Sequence, residues 1–507
     1  MPPRGGVPEQ PDGPRAPRRA ARGRHRAPHR PWGPLAGPVG LVGVAVGCLI
    51  PWRDALRSGV FDDTFGHRAA GVWMLDHHHV ITHDVFSYTV LGHSWISPEW
   101  GYDVVLAESV RAIGPGAFWL LSAGLATLTV LAVALRSRVV GAGWTWTGLL
   151  CVETGAAVTL LLDDRPQMVS YLFLALLLLG LSLARRRPWW LVGVPVLFVA
   201  WANLHGSFLL GLGVLVLELL AALVRRGRGR LSVDALGRGP AAATLVGSGL
   251  ATLVNPFGAH VYASAFGVTF NTTVRRLIGE WQSPNFHDPA TLAVVVLPVA
   301  ATVAYLVFTG RDVPFVELAL AGLMLVSALD AARFIPYFAI AWCALAARCP
   351  FESEERLRPT VLVWPMVAVL AAAFLQGPWY RAGTPAPSVP VRAVAYLQGH
   401  PGRVFSTYLW NDYLDWVGRP TFVDGRTELY TGNGVLSQYL AVDELTADPD
   451  TVLVPHHVAY VLWPTGTPLS VYLGHDPHWQ VVWHSSTATV FHYRDPGAQT
   501  AQPGVPG

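Results

Sequence analysis

Eleven stretches of this chain are apolar over about the length a helix needs to cross the ~30 Å hydrocarbon core of a bilayer, roughly 20 residues. They fall near 35–51, 116–135, 139–162, 166–184, 189–204, 206–224, 240–256, 289–308, 313–330, 333–348 and 359–377. Charged residues make up only 14% of the chain, against about 25% in a typical soluble protein. A soluble globule with so few charges could not cover its surface. The excess apolar side chains must face lipid, where only structures that satisfy their own backbone are viable. The expected fold class is an α-helical polytopic membrane protein of about 11 transmembrane helices, and disordered, fibrous and ordinary cytosolic classes are excluded. All 36 basic residues are Arg, and a net charge of +3 gives no reason to expect a nucleic-acid partner.

Arg placement sets the expected orientation. With the Arg-rich N-terminus inside, Arg136/Arg138, Arg185–Arg187, Arg225–Arg230, Arg311 and Arg348/Arg356/Arg358 all fall in cytoplasmic loops, as basic residues near span ends tend to do. The other side receives 52–115, Asp163–Gln167, the Asn203–Gly206 turn, 257–288 and everything after about 378. This gives a multi-pass plasma-membrane protein with a cytoplasmic N-terminus. The expected organisation is a disordered Arg/Pro-rich tail over 1–32, a membrane domain over 33–377 that includes the external loop 52–115, an extracytoplasmic domain over 384–495, and a disordered tail over 496–507. The first tail is too long and Pro-rich for a signal peptide. Cys48, Cys151, Cys343 and Cys349 lie in or beside apolar runs and form no disulfide or zinc spacing.

The external loop is expected to hold a short helix over 64–76, an extended stretch through Ser87–Thr89 and a helix from Pro98 to about Arg111. In 384–495 the long apolar runs stop. Strands expected at Arg403–Tyr408, Thr421–Asp424, Ala459–Trp463, Val481–His484 and Ala488–Tyr493, with helices at 390–398 and 435–447, suggest a small α/β domain.

Outward-facing carboxylates are the first candidates for chemistry. Asp63, at the start of the 64–76 helix, is either an N-cap or a general base or metal ligand at the mouth of a membrane cavity. Asp84 converges with it if the chain doubles back, and two carboxylates sharing a site divide acid–base roles. Arg165 and Arg333 lie at outer helix ends, where lipid phosphates sit; Arg matches phosphate bidentately, and headgroup snorkelling is the alternative for both. Arg165 also adjoins Asp163 and Asp164. His205, at an outer helix junction, reads as a substrate contact or a cap. Trp95, Trp100 and Trp281 read as sugar-stacking or as interfacial aromatics. His77–His79 are poor joint ligands, since adjacent helical residues face apart. Glu153 and Glu218 sit inside spans, where carboxylates invite a functional reading. No residue set specifies a metal, and a divalent cation is left open.

The pattern Asp63-x-Phe65-x-His67, Gly71, His79-Val80, Asp84-x-Phe86-Ser87-Tyr88-Thr89, Gly92, Trp95 and Glu99-Trp100 resembles the first external loop of the GT-C superfamily. These are integral-membrane glycosyltransferases that use polyprenyl-phosphate-linked sugars. The likeness is to bacterial members of the protein-mannosyltransferase and lipid A aminoarabinose-transferase kind. Further matches follow in order: Arg165-Pro166-Gln167, Trp201-x-Asn203-Leu204-His205-Gly206, Asn255-Pro256-Phe257-Gly258, Glu280-Trp281-Gln282-Ser283-Pro284, Arg333-Phe334-Ile335-Pro336, Asn411-Asp412-Tyr413-Leu414 and Val423-Asp424-Gly425-Arg426. The resemblance spans most of 40–430, although Phe61 and Gly66 stand where related sequences often have Asp and Trp.

The resemblance implies a catalytic Asp at Asp63, with Asp84 or Asp164 as a further acidic residue. It adds His67, Asp164, Arg165, His205, Glu280 and Arg333 as substrate-binding candidates. It implies inverting, base-assisted transfer of a sugar from a polyprenyl-phosphate donor to a glycan, lipid or protein acceptor of a bacterial cell envelope. Asp424-Gly425-Arg426 reads as a strand-ending turn able to close the site from above. A transporter, or a non-catalytic membrane protein of envelope assembly, is the competing reading. Against the transporter stands the absence of inverted repeats and of paired broken helices.

Overall fold

The computed structural model describes residues 36–57, 59–60, 62–224, 231–232, 235–270, 275, 278–308, 313–348 and 384–494. Its first part is helical: α1 (Ala36–Arg57), α2 (Asp62–His77), α3 (Trp100–Ile113), α4 (Gly116–Val140), α5 (Trp144–Thr159), α6 (Gln167–Ala184), α7 (Gly193–Leu204), α8 (Phe208–Val224), α9 (Arg238–Ala251), α10 (His260–Phe270), α11 (Pro289–Phe308), α12 (Phe315–Asp330) and α13 (Ile335–Arg348). Helices thus occupy ten of the eleven apolar stretches; the eleventh, 359–377, and both tails lie outside the described residues. Among the described residues, α1, α4, α6 and α11 are long and apolar enough to cross a membrane by length and composition. α10 is an additional helix, formed within the 257–288 loop.

The outward faces of these helices are apolar: Val196, Leu250, Leu297 and Phe308 are more than half exposed. Inside, α6 buries Met168, Tyr171, Leu174 and Leu177 completely. α1 and α5 meet through glycines. A Cβ on Gly47 would lie 2.3 Å from the Cys151 carbonyl oxygen, and one on Gly155 would lie 2.2 Å from that of Gly47. Small residues let the two backbones approach closely, as membrane helix pairs commonly do. At one end of the bundle Arg136 and Arg348 both pair with Glu317 (3.2 and 2.8 Å), and Arg185 pairs with Glu218. Glu218 and Glu317 are therefore neutralised in place.

Two short strands, β1 (Leu231–Ser232) and β2 (Val313–Pro314), pair in parallel. The C-terminal part builds α14 (Val391–Gln398), β3 (Arg403–Ser406), α15 (Asn411–Trp416), α16 (Val435–Asp443), α17 (Asp450–Leu453), β4 (Val458–Pro464), α18 (Pro468–His475), β5 (Trp479–His484) and β6 (Ala488–Tyr493). The sheet order is β3-β4-β6-β5, with β3 parallel to β4 and the other pairs antiparallel. Thr421–Asp424 does not form the expected strand. Thr421 instead makes a lone parallel bridge with Ser87, so the stretch expected to be extended around Ser87 is completed by the C-terminal domain. That domain is held down on α2 and the following loop. Thr89 Oγ1 donates to the Phe422 carbonyl at 2.6 Å, Phe65 meets Tyr413 edge-on at 4.9 Å, and the Arg68 guanidinium lies 3.4 Å over Trp416.

Candidate active site at one end of the bundle

Asp63 lies in the first turn of α2, which begins at Asp62, so the capping alternative left open by the sequence is not the one adopted. One turn later His67 falls on the same helix face, as residues i and i+4 do. Phe65, packed on Phe118 and Tyr413, fixes the helix from its other side. Asp63 and His67 both line a cavity of about 180 Å³. The loop between α2 and α3, α3 itself, the loops after α5 and α7, α10, two 3-10 turns (Gly279–Trp281 and Ala332–Phe334) and the C-terminal domain contribute to the rest of its wall.

Arg165 occupies the centre. Its Nε stands 2.9 Å from Asp63 Oδ2 and 2.7 Å from Asp163 Oδ2, and its Nη1 donates to Glu280 Oε2 at 3.4 Å. Glu280 is shared: its other oxygen lies 3.5 Å from Arg333 Nη1, and Arg333 stacks 4.1 Å over Trp281. Burial alone would raise the Asp63 pKa, but Arg165, His67 and Arg333 together hold it below the ordinary Asp value. Asp63 is therefore an ionised carboxylate facing the cavity.

His67 Nδ1 is 2.7 Å from Asp103 Oδ1. Burial opposes the charged imidazole, yet Asp103, Asp63 and Glu99 outweigh it and raise the pKa to about 10. Glu99, half-buried beside these groups, is pushed up to about 7, first by desolvation and then by Asp103 and Asp63 against His67. Its Oε1 lies 3.4 Å from His205 Nε2. Burial, with Arg333 and His67 nearby, lowers His205 to about 3. His205 is then neutral; its Nδ1 is within 2.6 Å of Ser170 Oγ and 2.8 Å of Ser207 Oγ.

Five of the substrate-binding candidates, His67, Arg165, His205, Glu280 and Arg333, line the one cavity with Asp63. Two expectations are corrected. Asp84 is absent from the cavity wall: its oxygens accept from the Ser87 hydroxyl at 2.7 Å and from Arg426 Nη2 at 2.5 Å. It holds Arg426, which does line the cavity, stacked over Trp95 and Phe86. Asp164 is absent from the cavity wall as well. It is half-buried near Ser122 with its pKa raised to about 7, first by desolvation and then by Asp163, and it is Asp163 that meets Arg165. The carboxyl that does stand beside Asp63 is Asp412: a Cβ on Gly425 would lie within 3.0 Å of an oxygen of each. Asp412 belongs to a motif already quoted above, but nothing local in Asn411-Asp412-Tyr413 marks it off from an ordinary helix start. Asp103 was missed as well, although it lies one helical turn after Glu99.

Oxygens of Asp412, Asp415 and Asp424 come within 4.8 Å of one another. Each carboxylate is engaged internally: Gly425 N–H donates to Asp412, Thr421 Oγ1 to Asp415, and Arg426 with Tyr430 to Asp424. Each of the three thus has at least one donor from the C-terminal domain itself. Asp450, Asp476 and His478 form a second, more exposed group in the C-terminal domain. His77 and His79 pack on Trp73 and face solvent.

No family model matches the chain, and no curated protein does. Solved structures do. The oligosaccharyltransferase of Archaeoglobus fulgidus, in its apo form, superposes with a TM-score of 0.55 at 10% identity, over 84% of this chain and 69% of that one. ArnT from Cupriavidus metallidurans, solved bound to undecaprenyl phosphate, superposes with a TM-score of 0.51 at 13% identity, over 90% of this chain and 98% of that one. At these identities the likeness is one of fold: this chain shares its fold with that oligosaccharyltransferase and with ArnT.

Proposed function

We propose that this protein transfers a sugar from a polyprenyl-phosphate donor to an acceptor hydroxyl at the outer face of the membrane, with Asp63 as general base. The observation that carries this reading is the ionised Asp63 carboxylate opening on a cavity beside Arg165 and Arg333. ArnT, of the same fold, binds undecaprenyl phosphate. In the proposed step Asp63 accepts the acceptor's O–H proton as the new bond to the sugar's anomeric carbon forms. The anomeric carbon–phosphate bond breaks, and its electron pair leaves with the lipid phosphate. Arg165 and Arg333 offset the charge that develops there.

The cavity wall carries seven carboxyl groups (Asp63, Glu99, Asp103, Glu280, Asp412, Asp415, Glu428) against three guanidinium groups (Arg165, Arg333, Arg426). A donor phosphate must therefore compete with Glu280 for both outer arginines. Its 3.4 and 3.5 Å contacts are longer than those Arg165 makes to Asp63 and Asp163, and so cheaper to exchange. A lipid carrier suits such a site, because a free nucleotide sugar would first have to cross hydrocarbon as a polyanion. Purified protein given a prenyl-phosphate sugar and an envelope extract should release prenyl phosphate in an Asp63-dependent way. Activity with nucleotide sugar alone, or none with any lipid-linked donor, would return the assignment to a transporter or an assembly factor.

A further inference from the structure

Asp412 reaches the cavity from the C-terminal domain through a slot left open by two glycines. A Cβ on Gly66 of α2 would stand 2.9 Å from Asp412 Cγ and 3.0 Å from its Oδ1. A Cβ on Gly425 would stand 2.5 Å from Asp412 Oδ2 and 3.0 Å from Asp63 Oδ1. Neither glycine has a positive φ, so backbone conformation does not call for glycine at either position. Room for the Asp412 side chain does.

Asp412 is only 5% exposed, and its Oδ1 accepts the Gly425 N–H at 2.9 Å. The two oxygens of Asp63 are thus held from opposite sides: Oδ2 by Arg165 at 2.9 Å, Oδ1 next to Gly425 and Asp412. A hydrogen bond between the two carboxyl groups would need one proton, and Arg165 at 2.9 Å from Oδ2 favours Asp63 as the carboxylate of the two.

We propose that Asp412 is a positioning residue for Asp63, a carboxyl donor that the C-terminal domain inserts beside the base, so that the site is complete only with that domain docked. This rests on the reading of Asp63 as base. In the transfer step Asp412 keeps its proton. It fixes the Asp63 carboxylate so that a free lone pair faces the acceptor, whose proton Asp63 takes. Bridges Val60–Pro385 and Ser87–Thr421, and the Trp95 indole N–H donating to Glu428 at 2.9 Å, fasten the domain around this insertion.

The test uses full-length protein carrying Asp412→Ala, Asp412→Asn, Gly66→Ala, or Gly66→Ala with Asp412→Ala, read by prenyl-phosphate release and by thermal melting. A hydrogen bond to a charged group gives the scale: Asp412→Ala should lower kcat by about 10–100-fold with KM for the donor little changed. Asp412→Asn keeps an N–H donor and should recover most of that loss. Gly66→Ala should lower both melting temperature and kcat. Emptying the slot in the double variant should restore the melting temperature and leave kcat low. Equal losses in the Asn and Ala variants, or recovery of activity in the double variant, would reduce Asp412 to packing and overturn the proposal. If wild-type protein transfers nothing, the transferase reading fails. The insertion is then decided by melting alone, where lack of rescue in the double variant counts against it.

Discussion

At Asp63 two opposing effects meet, and magnitude decides between them. Burial favours the neutral acid, while a guanidinium nitrogen at 2.9 Å, with His67 and Arg333 beyond it, favours the carboxylate and prevails. Replacing Asp63 by Asn keeps shape and removes the base. Transfer should fall by about 10²–10⁴ while the melting temperature stays near wild type; a protein that instead unfolds assigns Asp63 to structure. Arg333→Lys keeps the charge but loses the planar stack on Trp281 and the forked donor set. Its KM for a lipid-linked donor should rise roughly tenfold with kcat largely kept, which steady-state kinetics would show.

The His67–Asp103 pair makes stability depend on pH. The imidazole pKa goes from 6.5 unfolded to about 10 folded. Below 6.5 both states hold the proton and the pair contributes in full. Between 6.5 and 10 the unfolded chain has released it, so the contribution fades as pH rises. Melting temperature should decline across that window in wild-type protein and decline less in Asp103→Asn, as pH-dependent scanning fluorimetry would reveal.

Among the elements, the α1–α5 contact leaves little room. The carbonyl of Cys151 leaves no space for a Cβ at Gly47, and that of Gly47 none at Gly155. Gly47→Leu must push two backbones apart, and overpacking of this kind costs about 1–3 kcal/mol or more. Unfolding in detergent should show at least that loss, whereas Gly124→Ala, on α4 with nothing within 4 Å of its Cβ position, should be near neutral. The 3-10 turns Gly279–Trp281 and Ala332–Phe334 work at the same scale. They are joined by the Ala332 N–H donating to the Gln282 carbonyl at 2.9 Å, and so bring Glu280 and Arg333 together from distant parts of the chain.

Over the whole molecule, charge is sorted between the two ends of the bundle. One end holds the cavity and the C-terminal domain; the other holds Arg136, Arg185, Glu218, Glu317 and Arg348. Basic residues near span ends favour the cytoplasmic side, and on that expectation the cavity would open outward. Single cysteines placed at Val471, half exposed on α18, and at Arg186, exposed after α6, should react with a membrane-impermeant maleimide only from outside and only after permeabilisation, respectively. The reverse pattern would put the cavity in the cytoplasm and remove the case for a lipid-borne donor.

The hydrophobic runs by themselves determined where ten helices form, because apolar length is a local property and lipid leaves the backbone no alternative to helix. The order of polar motifs, through the resemblance it carries, likewise marked Asp63, His67, Arg165, His205, Glu280 and Arg333, all of which line the cavity. What only the tertiary structure decided was which carboxyl stands beside Asp63. Asp84 and Asp164 are nearer in sequence to it or to Arg165, but one is drawn off by Arg426 and the other lies near Ser122. Asp412 arrives from almost 350 residues away because Gly66 and Gly425 leave it room. Sequence shows that two glycines are small; that their gaps coincide around one side chain is a fact of packing, set when the C-terminal domain closes on α2.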